Sequence, residues 1–478
     1  MWRRFINGLI IVNGLIIVCL AFLVSFYFFQ IFLASGENLD KSRTAKAEEC
    51  SPEKLMNCYK LPEPKSPDDD DIVQDYGELA WKTFIALNWP ADFEGNPDSS
   101  RVIGTKLEAR RVWEFYKRPE DVFQTSESQE KRSPSFSMTG NLSPQALSQN
   151  KIEDINEIFK QAFTSPVIDQ ENRYIVYGTR LNEVESDQII KNHWNNTNCI
   201  SKDLSIDPGA IEIKTAWKIL DSATPQKGLP YYTVSRSYTI PKESVVDDDG
   251  NQAQSNLEKK VKLGLIGFHI FYKVKTDDNS SEWIMSTFEH IKNTPLDPTK
   301  PDQETAYALY NKSCENCQGN IPPNVINGDI IDDYKYYVNA DLKAMAKQAM
   351  VKPDEKPKRL APTQVVRSKE AGSIPGKFQD IDDLNRRWNG ALKEAGIWRN
   401  YRLIGVQWTE TGDQRTPLSN PAFETYITYM INEDDELIHP SIRNCLNCHS
   451  TAKRNKYTDY SFLIAKKAKD LAGQCSNS

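Results

Sequence analysis

Apolar residues run without a charged side chain from Phe5 to Ala34. A membrane-spanning helix needs about 20 such residues and a signal-peptide core only about 7–15. The stretch therefore predicts one N-terminal transmembrane helix. Arg3 and Arg4 precede it and place the N-terminus in the cytoplasm, with the body of the chain outside. The alternative is a cleaved signal ending near Leu33-Ala34-Ser35-Gly36, which leaves a soluble periplasmic body. Residues 36–71 are polar and end in four Asp; they read as a stalk, with a Cys50–Cys58 staple expected in it. Ile72, Tyr76, Leu79, Ala80, Thr83 and Leu87 then recur on one face of a helix that Pro90 closes. Residues 91–170 carry no strong period.

From Arg173 the pattern turns to strands. RYIVYGTRL, AIEIKTAWKIL, YYTVSRSYTI, VKLGLIGFHIFYKV and EWIMSTFEHI are rich in β-branched and aromatic residues. Asp247-Asp248-Asp249-Gly250-Asn251 reads as the loop between the third and fourth. Beyond about residue 300 helices are predicted at 302–313, 339–350, 378–395, 420–430, 442–452 and 458–472. Gly396 closes the third, and YRLIGVQW forms one late strand. The fold class expected is α+β: an antiparallel sheet or sandwich core with a helical C-terminal part. The segments are 1–35 (anchor), 36–71 (stalk), 72–300 (helix and β-rich) and 301–478 (mainly helical).

Of the 478 residues, 39% are hydrophobic and 10% aromatic. That is enough for a sizeable core, which excludes wholesale disorder. Asp and Glu outnumber Lys and Arg by 66 to 59 without a long basic run, which argues against nucleic acid as the main partner. An exported body meets oxidising conditions, so its cysteines are expected to be paired or ligated. Cys19 lies in the span. Cys50, Cys58, Cys199, Cys314, Cys317, Cys445, Cys448 and Cys475 remain.

Cys445-Leu446-Asn447-Cys448-His449 has the C-x-x-C-H spacing of c-type haem attachment. On one helical turn the two thiols lie on the same side with the imidazole beside them, so thioethers form along one haem edge while His449 meets the iron. One covalent haem c is the cofactor expected; a Cys445–Cys448 disulfide and a zinc site are the competing readings. Cys314-Glu315-Asn316-Cys317-Gln318 has Gln where the ligand should be, so a disulfide is expected there rather than a second haem. Arg443 is a candidate partner for a haem propionate. The stretch from Ser450 to Ser478 contains no Met or His, so a second axial ligand must come from upstream. His269, on the strand face assigned to Leu263, Leu265 and Phe271, and His290 are the candidates. Met285, Met430, His439 and His193 stand behind them.

Two strong ligands would make an electron carrier with a separate redox partner; an open face would make an oxidase or peroxidase-type enzyme. A disulfide- or zinc-stabilised binding module without haem is the third class. WKTFIALNWP, GLIGFHIFYK with WIMSTFEHI, and NCLNCHSTA with YSFLIAKKA together resemble a family of large exported bacterial cytochrome c-like proteins with a single haem motif near the C-terminus. The resemblance implies export, one covalent haem on Cys445, Cys448 and His449, and an oxidoreductase or electron-transfer role. The motif's place at the far C-terminus departs from a small cytochrome domain and points to haem docking against the sheet.

Overall fold

The computed structural model describes residues 49–63, 72–123, 149–151, 159, 165–220, 230–276, 280–326, 329–349, 352–367, 377–408, 418–426, 445–454, 456–471 and 475. The apolar stretch Phe5–Ala34 lies outside them. Among the described residues no helix is long and apolar enough to cross a membrane. The architecture is α+β, built on a seven-stranded, mainly antiparallel sheet.

Its strands are β1 (Gln149–Lys151), β2 (Val176–Leu181), β3 (Ile211–Leu220), β4 (Thr233–Ile240), β5 (Leu257–Lys275), β6 (Ser281–His290) and a late strand, Tyr401–Trp408. β5 is the spine. β3 pairs along one of its edges, while β4 and β6 share the other, β4 opposite 257–264 and β6 opposite 267–275. Its composition fits that place. Leu257-Glu258-Lys259-Lys260-Val261 alternates with one face in solvent, whereas Gly264–Val274 is buried on both faces. Along the β3 edge the register slips between Ala216 and Trp217, skipping Ile266. That bulge reverses the side-chain parity. Leu263 and Leu265 therefore share one core with Phe268, Ile270, Tyr272 and Val274, and Phe271 belongs to another. The expectation that His269 shares a face with Leu263 and Leu265 is corrected by this bulge.

The first face packs on helix α1 (Ile72–Leu87) and, further along the chain, a helix at Lys377–Ala391. The predicted stripe of α1 is buried at Tyr76, Leu79, Ala80, Thr83 and Leu87, but so are Trp81, Phe84 and Ile85. A helix wedged between a sheet and a second helix buries more than one stripe. Phe84 stacks on Phe288 at 4.2 Å between ring centroids, and Trp81 meets Phe288 edge-on at 5.0 Å.

Several helix expectations fail for identifiable reasons. Residues 302–313 form turns: Asp302 accepts from Glu304 N and Thr305 Oγ1, and Ala308 and Leu309 bond to Lys292 and Asn293. At 339–350, Asn339 Oδ1 accepts from Asp341 N and Lys343 N and Leu342 turns at φ 61°, so Tyr334–Val338 and Ala344–Gln348 become an antiparallel pair. Pairing overrides the helical propensity of Ala, Met and Lys there. Residues 420–426 are turns organised by Asn420, and 427–430 lie outside the described residues. The segments 442–452 and 458–472 contain only short helices among the described residues, Cys445–His449 and Phe462–Lys467. The third expected helix is present as Lys377–Ala391, continued by a 3-10 stretch with Gly396 at φ 66°.

Cys50–Cys58 and Cys314–Cys317 are disulfides, and a third joins Cys199 to Cys475 across 276 residues of sequence. Closing so long a loop restricts the unfolded chain strongly. Replacing Cys199 and Cys475 with Ser is expected to lower unfolding free energy by about 2–5 kcal/mol in urea titration; an unchanged midpoint contradicts this.

Candidate functional site

The second face of the sheet carries the motif. Helix α2 (Glu183–Lys191) and the C-terminal segment pack there with Phe271, Trp283, Met285 and Leu418. The C-x-x-C-H turn is Cys445–His449. Cys445 N donates to Gln407 Oε1 at 3.0 Å, and Gln407 is itself buried on the late strand. Cys445 Sγ donates to the Leu418 carbonyl at 3.6 Å. Cys445 is half-buried, Cys448 exposed, and both are reduced, whereas the other six cysteines among the described residues are bridged. Burial pushes both thiols above their ordinary value; Glu424 adds to this, and Lys466 opposes it at Cys448. At neutral pH they are thiols, not reactive thiolates.

The His449 ring lies against Phe271 and Phe462, with centroids 5.1 and 4.9 Å away. Its Nδ1 is 2.8 Å from the carbonyl oxygen of Tyr460. A carbonyl only accepts, so Nδ1 carries the proton and Nε2 keeps its lone pair. Nε2 has no partner among the described residues. Burial pushes the His449 pKa down to about 4; the Tyr460 carbonyl opposes this, while Lys214 and His269 press it further down. Asp459 and Tyr460 both adopt left-handed backbone, φ 48° and 66°, so the carbonyl is presented from a tight turn.

The two histidine candidates are separated. His269 stands on the motif face, with Lys214 opposite it on β3 and Thr287 opposite on β6. Its Nε2 is 3.0 Å from Glu424 Oε1, and its Nδ1 is buried without a partner among the described residues. Phe423 packs on its ring at 4.0 Å, seated over Gly267, where a Cβ would fall 2.6 Å from the Phe423 ring. Burial brings Lys214 down to about 8, with Glu424 holding it up. His290 points to the opposite face, among Tyr231 and Tyr401. Both its nitrogens are engaged: Nε2 donates to Pro230 O at 3.0 Å and Nδ1 accepts from Lys292 N at 3.1 Å. Met285 is buried opposite Phe271, and His193 is exposed in the turn after α2. Met430, His439 and Arg443 lie outside the described residues.

Cys314 and Cys317 are bonded to each other, so they offer no thiolates to a four-cysteine zinc site. Among the described residues no group of three or more His, Cys, Asp or Glu is arranged to hold a metal ion. Haem asks less of the protein: two thiols and one imidazole. Reduced Cys445 and Cys448, with a His449 whose Nδ1 is already committed, fit that group. Glu424, Lys214, Tyr460, Asp459 and Lys273 are part of this site, and the motif alone does not point to them. Lys273 was within reach of a period-two reading, since it alternates with His269 and Phe271. No protein-family model, no curated protein and no solved structure matches the chain.

The neutral tautomer of His290 has a consequence for stability. Its ordinary pKa of 6.5 is lowered to about 4 by burial. Between those values the unfolded chain binds a proton that the native state refuses, so stability falls as pH falls through the window. Relative to His290→Gln, the wild-type chain is expected to lose up to about 1.4 kcal/mol per pH unit there. Identical pH slopes in chemical denaturation of the two proteins contradict this.

Proposed function

We propose that this chain is an exported c-type cytochrome, held at the inner membrane by its N-terminal helix, that carries one covalent haem and transfers electrons to a separate redox partner. The observation that carries the reading is the state of the C-x-x-C-H turn. Among the described residues its two thiols are the unbridged ones in an otherwise disulfide-paired body, and its imidazole presents Nε2 because Nδ1 donates to Tyr460. Haem, when bound, supplies a one-electron couple at iron.

The protein's own parts divide the remaining work. Cys445 and Cys448, both unbridged, would hold the haem through two thioether links, an addition of thiol to alkene that needs no oxidant. His449 would supply Nε2 to the iron, and its Nδ1–H bond to Tyr460 O fixes the ring orientation and raises the basicity of Nε2. Phe271, Phe462, Leu446 and Ile464 are the apolar surroundings of the turn. A second reading, a haem oxidase or peroxidase-type enzyme, draws on His269, Glu424 and Lys214. They are polar groups on the motif face, and His269 is engaged with Glu424 rather than bare at Nε2.

Changing Cys445 and Cys448 to Ala together is expected to abolish the pyridine haemochrome band of the purified protein. A band that survives overturns the assignment. Addition of cyanide to the ferric wild-type protein separates the two readings: an unaltered low-spin spectrum supports the carrier, and prompt conversion supports the enzyme.

A further inference from the structure

The carbonyl that orients His449 sits in a turn with two consecutive left-handed residues, Asp459 and Tyr460. Such backbone persists only where its surroundings hold it. The holding groups come from the sheet. Asp459 Oδ2 accepts from Ile206 N at 2.7 Å and from Lys273 Nζ on β5. The ion pair is buried, with Lys273 at 4% and Asp459 at 11% side-chain exposure, and Lys273 also faces Trp283 and Ser205. On the other flank, Ser461 Oγ donates to Glu212 on β3. Lys273 follows His269 and Phe271 at alternate positions of β5, on the sheet face against which the His449 ring rests.

We infer that Lys273 and Asp459 are positioning residues for His449. Their buried ion pair clamps the 459–460 turn, sets the Tyr460 carbonyl at Nδ1, and thereby decides which imidazole nitrogen stays bare. Without Lys273 the Asp459 carboxylate keeps Ile206 N but loses its buried counter-charge, and it moves toward water. Tyr460 moves with it, the Nδ1–H bond loosens, and Nε2 becomes a weaker donor. The consequence for iron rests on the proposed haem reading; the consequence for the tautomer does not.

The test uses the full-length protein and measures three things: haem content, the midpoint potential, and the ¹⁵N shifts of the His449 ring. Lys273→Met and the milder Asp459→Asn are expected to retain covalent haem and raise the potential, because a weaker donor stabilises the ferric state less. Lys218→Met is the control. It breaks a buried pair with Asp169 (3.0 Å) further along β3 than Glu212, and should leave the potential unchanged. Unchanged potentials in both site variants, or an equal shift in the control, overturn the inference. Should the wild-type protein carry no haem, the function falls and the positioning claim is still decided. A single Nδ1–H tautomer in wild type that becomes a mixture in either site variant supports it. An Nε2–H tautomer in wild type, or no change in both variants, overturns it.

Discussion

An imidazole binds a metal through a ring nitrogen that carries no proton, and a hydrogen bond donated by the other nitrogen holds it in that tautomer. In this protein that condition is met by one hydrogen bond, from Nδ1 of His449 to the carbonyl of Tyr460. Much of the C-terminal segment is organised around it. Thr458 Oγ1 donates to the Ser461 carbonyl, Ser461 caps the helix Phe462–Lys467, and Thr197 N bonds to Lys469 O. The Cys199–Cys475 bridge then ties the tail to the body. A neutral, half-buried His449 is the result, and a neutral imidazole is the form that ligates.

The sheet supports this arrangement at its centre, where Gly264–Val274 of β5 is buried on both faces. One face is stacked on aromatic rings of α1 and its neighbouring helix, as at Phe84 and Phe288. Such ring pairs contribute about 0.5–1.5 kcal/mol beyond area burial. The other face receives the motif turn, Phe423 and Leu418. Gly267 is the point of closest approach, since a side chain there would displace the Phe423 ring that covers His269. Buried polar groups on the motif face are paired locally, Lys273 with Asp459 and His269 with Glu424. Burial pushes Glu185 and Glu212 above the usual carboxylate range, and the neighbouring Glu212 presses Glu185 further up. The pair therefore holds a proton rather than two charges.

What was legible in the sequence follows from range. The strands from Val176 to His290 and at Tyr401–Trp408 were readable because β-branched and aromatic runs between polar turns are local signals. Cys50–Cys58 and Cys314–Cys317 were readable because their partners are close in sequence. The missed elements were decided elsewhere: Ala344–Gln348 is a strand because Tyr334–Val338 lies beside it, and 302–313 is irregular because its backbone bonds to residues after β6. A single bulge opposite Trp217 reassigned Leu263 and Leu265 from the His269 face, a shift that alternation cannot show. Of the site, the turn Cys445–His449 was plain, whereas Tyr460 acts through its backbone carbonyl and leaves no side-chain signature. Lys273, Glu424 and Lys214 gain their place only from strand pairing and from the 418–426 segment.

The central claim is that a porphyrin is bonded through sulfur to the turn Cys445–His449. The most direct measurement is mass spectrometry of the proteolytic peptide containing Cys445 to His449, from protein expressed with its export signal in a host that matures c-type cytochromes. One haem mass is expected on that peptide, carried by Cys445 and Cys448. An unmodified dithiol or a Cys445–Cys448 disulfide at full occupancy contradicts it.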